Sequence, residues 1–137
     1  MAAAEAVHVF DSCAFIAFLQ DEPGADEVTR LMKERKCLIH AVNVCEVYYD
    51  LLRRGDLENA DSLEDLLQAG GLEIDAALPP DLWRRVGRIK AELRRLSLAD
   101  CFVMALTLQE DGVLVTSDHH EFGPVAAAGL CPIHFIR

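Results

Sequence analysis

The sequence predicts an α/β protein, a three-layer α/β/α sandwich around a central parallel sheet of about five strands. Three observations predict it. Short apolar runs at 7–10, 37–40, 72–74, 113–115 and 132–135 have the length and β-prone composition of buried strands. Longer segments with helical spacing separate them, and strands that alternate with helices form parallel sheets covered on both faces. At 137 residues and 52% hydrophobic content, the chain suits one core and one domain, 1–137.

Val7-His8-Val9-Phe10 reads as the first strand, and Asp11-Ser12 can cap the apolar helix of 13–19. Asp21-Glu22-Pro23-Gly24 breaks that helix, and 25–36 has helical spacing with Val28, Leu31 and Met32 on one side. After the strand 37–40, Asn43 is expected to open a helix that ends at Arg53-Arg54-Gly55, cations in the last turn followed by glycine. A further helix is expected over 56–69, closed by Gly70-Gly71 before the third strand. Pro79-Pro80 starts the next, with Leu82, Val86, Ile89 and Leu93 inward and its arginines mainly outward. Six apolar residues follow Asp100 in the Ser97 helix, so it is expected to be buried nearly all round. The fourth strand, the turn Thr116-Ser117-Asp118, a short helix near 121–128 and a last strand complete the pattern.

Composition narrows the function. The first residues lack the basic flank and apolar stretch of a signal peptide, and no run approaches the roughly 20 apolar residues that span a bilayer. A soluble, cytoplasmic protein without a membrane partner is therefore expected. Five cysteines, with no Cys-x-x-Cys pair, read as reduced, packed thiols, and the adjacent His119 and His120 have no cysteine near them to complete a zinc site. The net charge of −10 opposes nucleic-acid binding in bulk, but six of the 13 basic residues, Arg84, Arg85, Arg88, Lys90, Arg94 and Arg95, share one short stretch. Arg53-Arg54 forms a second pair. These are candidate RNA contacts or a solvated helix face.

Four acids occupy corresponding places. Asp11 follows the first strand, Glu46 lies in the first turn after the second, Asp100 heads the buried helix, and Asp118 follows the fourth strand. Carboxyl ends of parallel strands and amino ends of the following helices face one crevice. Each acid alone can be a cap: Asn43-x-x-Glu46 and Ser97-x-x-Asp100 have capping-box spacing or a close variant. Together they would repel, and a cation relieves that repulsion. Hard oxygen ligands suit Mg²⁺ or Mn²⁺ and phosphate chemistry.

The stretches Val9-Phe10-Asp11-Ser12, Asn43-Val44-Cys45-Glu46-Val47-Tyr48-Tyr49, Leu96-Ser97-Leu98-Ala99-Asp100-Cys101-Phe102 and Leu114-Val115-Thr116-Ser117-Asp118 resemble the PIN-domain ribonucleases, specifically the small VapC-type toxins of bacterial toxin-antitoxin pairs. The resemblance runs almost end to end and includes the Asp21-Glu22-Pro23-Gly24 break and His119-His120-Glu121-Phe122. It departs at the cysteines 13, 45 and 101 beside three acids, and at Thr-Ser-Asp where many relatives have Thr-Gly-Asp.

The resemblance implies catalytic, metal-holding roles for Asp11, Glu46, Asp100 and Asp118, with Ser12, Asn43 and Thr116 lining the site. It implies endonucleolytic RNA cleavage with Mg²⁺ or Mn²⁺, RNA approaching over Arg53, Arg54, Arg84, Arg85 and Arg88, and a cognate antitoxin that covers the groove. A homodimer through Tyr48-Tyr49 and 63–67 is also implied. A phosphoacceptor domain fits less well, lacking a second acid beside Asp11 and a lysine after the fourth strand. A non-catalytic PIN-like RNA- or protein-binding module stays open.

Overall fold

The computed structural model describes residues 6–137; Met1–Glu5, part of the stretch expected to carry no signal peptide, lies outside the described residues. The chain runs β1 (His8–Phe10), α1 (Ser12–Leu19), α2 (Ala25–Glu34), β2 (Cys37–His40), α3 (Ala41–Arg54), α4 (Leu57–Asp61), α5 (Leu63–Gly70), β3 (Leu72–Asp75), α6 (Pro80–Glu92), α7 (Leu98–Gln109), β4 (Val113–Thr116), α8 (His119–Ala127) and β5 (Ile133–Phe135). All strand pairs are parallel, in the order β3-β2-β1-β4-β5.

Strand alternation divides the core into two layers. Phe10 and Val115 pack with α1 to α5, whereas their neighbours Val9 and Leu114 pack with α6, α7 and α8. This is the expected three-layer sandwich. Central β1 and β4 are apolar on both faces because both faces are covered. Helix α7 has seven consecutive buried residues, Cys101 to Thr107, and Thr107 meets its hydroxyl requirement by donating to Val103 O at 2.7 Å. Among the described residues no helix is long and apolar enough to cross a membrane.

Three sequence expectations change. The helix after β2 opens at Ala41, not Asn43, because His40 Nδ1 accepts the Val42 N–H at 3.1 Å and serves as its cap. Asn43 is thereby released from capping, and Glu46 falls in the second turn rather than the first. Residues 56–69 form two helices with a turn at Ser62, which lets Ala60, Leu63 and Leu67 all face the core while Leu57 stays exposed. Cys45 is exposed, since the buried face of α3 is set by Asn43, Val47 and Leu51 at helical spacing. All five thiols are free, and Cys37, Cys101 and Cys131 are packed as expected.

Gly112 is required by close approach. A Cβ there would stand 2.3 Å from Val7 O, which accepts the Val113 N–H at 2.8 Å and ties the α7–β4 turn to β1. Pro124 lies inside α8 and cannot donate to the His120 carbonyl one turn back. Arg95 replaces that donor, with Nη1 reaching His120 O at 3.3 Å and Nη2 reaching Glu121 O at 2.8 Å. Arg95→Ala should therefore lower stability by about 1 kcal/mol. Pro124→Ala restores an N–H in reach of His120 O, so the double variant should lose less than the Arg95→Ala change alone, as read from urea midpoints.

Candidate active site

The chain passes from β1 outward to β2 and β3, then crosses back to β4 on the other side. The crevice outside the carboxyl ends of β1 and β4 is therefore the switch point of the sheet, where ligands bind in open α/β folds. Phe10 is in register with Val115, and Asp11 N donates to Val115 O at 3.1 Å. Asp11 and Thr116 consequently leave the sheet side by side. The Thr116 hydroxyl donates to Asp11 Oδ2, and its oxygen accepts the Asp118 N–H at 2.9 Å. Asp11 Oδ1 accepts the Ala14 N–H at 2.9 Å, and Asp118 Oδ1 accepts the Glu121 N–H at 3.0 Å. Both acids do cap helices; Asp11 has a second oxygen committed to Thr116.

Asn43, which is fully buried, links Glu46 to the backbone just before Asp100. Its amide Nδ2 donates to Glu46 Oε1 at 3.3 Å and to Ala99 O at 3.2 Å, tying the first turns of α3 to the start of α7. Ser97 Oγ accepts the Asp100 N–H at 3.1 Å, as its capping spacing predicts. Among the described residues, Asn43 Oδ1 is the one buried side-chain oxygen or nitrogen with no hydrogen-bond partner. Ser12 opens α1 and is buried beside Asp11.

Burial dominates the electrostatics. It pushes the Asp11 carboxyl up to about 7 against the lowering effect of the Thr116 and Ala14 hydrogen bonds, and the charges of Asp100 and Glu46 add to the rise. Burial likewise pushes Asp100 up to about 6; Ser97 opposes this, while Glu46 and Glu121 reinforce it. The Cys13 thiol is raised by burial and then by Asp11, Asp118, Asp100 and Glu46. One side chain thus feels all four acids at once.

Among the described residues no three His, Cys, Asp or Glu side chains close on a point that would seat an ion. Repulsion opposes such closure, at about 4 kcal/mol for two carboxylates 4 Å apart in an effective dielectric of 20. The donors nevertheless fit a hard cation in kind: carboxylate oxygens whose fields overlap, and a buried amide oxygen with no donor.

A cavity of about 440 Å³ opens beside these acids, walled in part by Ser12, Cys13, Glu46 and Ser117. Its cations are Arg54 and Arg137, and sequence reasoning gave Arg137 no role. The other expected RNA contacts lie elsewhere. Arg53 pairs with Asp50, as does Arg54. Arg84 and Arg88 are exposed on α6, Arg85 is half-buried, and none of the three makes an ion pair among the described residues. Arg84 lies over the Trp83 ring, 5.0 Å from its centroid.

The raised Asp11 pKa sets a direction for stability. The folded state holds this proton up to about pH 7, whereas an unfolded aspartate releases it near 3.8, so metal-free protein loses stability as pH rises between those values. At about 1.4 kcal/mol per tenfold change in proton affinity, the fall is roughly 4 kcal/mol. Asp11→Asn keeps an oxygen for the Ala14 N–H and should flatten this slope in urea titrations at pH 4 to 8 with chelator present.

The PIN domain family matches the chain over residues 8–127. No curated protein matches it in sequence. Among solved structures, the fold is similar to a toxin-antitoxin complex from Klebsiella pneumoniae, at 16% identity and TM-score 0.71, covering 95% of this chain and 98% of that one. It is also similar to VapBC2 from Rickettsia felis bound to a promoter DNA fragment, at 15% identity and TM-score 0.70, covering 94% and 98%. DNA-bound VapBC from Salmonella typhimurium gives 15% identity and TM-score 0.71, covering 96% and 99%. At such identities these structures speak for the fold, and the match over residues 8–127 speaks for the family: four acids at the switch point of a five-stranded parallel sheet belong here to a chain of the PIN domain family.

Proposed function

We propose that this PIN domain protein is a divalent-metal-dependent endoribonuclease and the toxin of a toxin-antitoxin pair. The observation that carries the reading is the placement of Asp11, Glu46, Asp100 and Asp118 at one sheet edge, Asp11 and Asp118 linked through Thr116, and Glu46 held to the carbonyl just before Asp100 by the buried Asn43, whose Oδ1 has no partner among the described residues. Asp11, Asp100 and Asp118 would hold Mg²⁺ or Mn²⁺, with Glu46 a further ligand or an orienting group. When bound, the ion supplies Lewis acidity, making a water nucleophilic near neutral pH and offsetting charge on the phosphate.

The chain's own groups set the geometry. Thr116 orients Asp11 and fixes the turn that carries Asp118. Asn43 orients Glu46 against the α7 amino end, and Ser97 holds the first turn that presents Asp100. No side-chain nucleophile is needed. Hydrolysis by water leaves a 5′-phosphate and a 3′-hydroxyl.

Arg84, Arg85 and Arg88 support an RNA path over α6, since no carboxylate of the described residues occupies them. The resemblance of the fold to VapBC assemblies supports an antitoxin that covers the acidic groove. A homodimer would use the exposed apolar side chains Tyr48 and Leu52 of α3; Leu63 and Leu67, expected in that interface, are core residues instead.

Calorimetry with Mn²⁺ and Mg²⁺ should give binding to the protein and none to Asp100→Asn, while the metal-free variant melts at the same temperature or higher because repulsion is relieved. Equal binding by both at millimolar metal would move the reading to a non-catalytic RNA- or protein-binding module. Cleaved RNA should carry 5′-phosphate ends, and 2′,3′-cyclic phosphate ends would contradict hydrolysis by water.

A further inference from the structure

In the cavity beside the acids two guanidinium groups converge on Glu22; Arg54 is anchored through Nε by Asp50, which also lines the cavity, and its Nη1 is the edge turned to Glu22. Arg54, from the last turn of α3, has Nη1 at 3.8 Å from Glu22 Oε2. Arg137, beyond β5, has Nη1 at 3.5 Å from Glu22 Oε1. These residues lie far apart in sequence, and the fold brings all three to the wall that also contains Ser12, Cys13, Glu46 and Ser117.

Arg137 is held in place rather than trailing into solvent. The Ile136 N–H donates to Thr116 O at 3.0 Å, continuing the β4–β5 pairing beyond the last strand. Nη1 of Arg137 donates to Pro23 O at 2.7 Å, and its carbonyl oxygen lies 2.7 Å from His119 Nε2. His119 in turn stacks on Phe135, with ring centroids 4.0 Å apart. The guanidinium is therefore fixed beside the acidic crevice, two residues past Phe135, the β5 end that is in register with Thr116 of β4.

By contrast, the contacts to Glu22 are long. Distances of 3.5 and 3.8 Å between partly exposed groups are looser than charge-assisted hydrogen bonds, and such pairs exchange partners at little cost. A phosphate oxygen would bind both guanidiniums better than Glu22 does. We propose that Arg54 and Arg137 form a phosphate subsite for the nucleotide next to the scissile bond, and that Glu22 is its placeholder, displaced when RNA enters. The proposal rests on the ribonuclease reading and deepens it. The cavity volume, about 440 Å³, lies within the range of roughly 300–1,000 Å³ for small-ligand sites. It also gives an acidic protein a local way to hold polyanion beside its own carboxylates.

The test is binding of a fluorescein-labelled eight-residue oligouridylate, followed by anisotropy, in an Asp100→Asn background that prevents cleavage. Arg54→Ala and Arg137→Ala should each weaken binding by about five- to tenfold and lower the salt slope by about 0.7. Arg137→Lys should recover part of the loss. Glu22→Gln should tighten binding several-fold, a change that a purely structural ion pair would not produce. Arg30→Ala, a remote exposed arginine, serves as the control. Melting temperatures identify any variant that has lost its fold, and the gain in Glu22→Gln then still decides.

Oligouridylate binding that is unchanged in both arginine variants and in Glu22→Gln would overturn the subsite while leaving the ribonuclease reading intact. If those changes alter binding of hexaglutamate peptide and leave oligouridylate unaffected, the arginines belong to a protein partner and the proposal is also overturned. Mn²⁺ binding by Arg54→Ala and Arg137→Ala without the Asp100 change should match wild type. Absence of Mn²⁺ binding in wild type marks failure of the underlying reading, separately from the subsite.

Discussion

The hydrogen bond from the Thr116 hydroxyl to the buried carboxylate of Asp11 joins residues 105 positions apart, and the site is arranged around it. A carboxylate that is 2% exposed has lost most of its hydration, and hydrogen bonds must replace it. One oxygen takes the N–H at the start of α1, and the other takes the hydroxyl at the end of β4. The same hydroxyl oxygen receives the Asp118 N–H, so one threonine fixes two acids and the turn between β4 and α8. Parallel pairing of β1 with β4 is what places Thr116 within reach.

These bonds leave the charge only partly compensated. The Asp11 carboxyl remains raised to about 7 because burial and the charges of Asp100 and Glu46 outweigh its two donors. Asn43 has the complementary deficiency, an acceptor with no donor at the junction of α3 and α7. Such features are costly in a core and cluster at functional sites, where a ligand completes the arrangement. Asp11 and Asp118 also cap helices, and the proposed metal-holding role rests on the coincidence of these features at one sheet edge.

The basic residues divide by what they touch. Arg95 completes the hydrogen bonding of a helix interrupted by proline, and Lys90 Nζ donates to the Arg94 carbonyl at 2.7 Å. Arg53 and Arg54 share the single carboxylate of Asp50 on their own helix, and Arg54 also faces Glu22. Arg84, Arg85 and Arg88 on α6 make no ion pair among the described residues. A run of arginines in the sequence was therefore several different things: structural donors, local ion pairs and an open cationic face.

The sequence by itself determined the three-layer class, the strand positions and the placement of four acids after strands and near helix starts, because those depend on local periodicity and on cap and turn chemistry. Short apolar strands between helical segments allow few other folds, and acids next to strand ends share an edge once the strands are parallel. What only tertiary structure decided involves partners distant along the chain. His40 displaced Asn43 as the α3 cap and gave the asparagine a buried bridging role. The turn at Ser62 arose because Ala60, Leu63 and Leu67 had to meet one core. Arg137 reached the crevice through pairing past β5, which no local pattern encodes. Local signals fix which segments form strands and helices; the facing of side chains across the crevice is fixed only when the sheet closes and burial selects which polar groups must find one another.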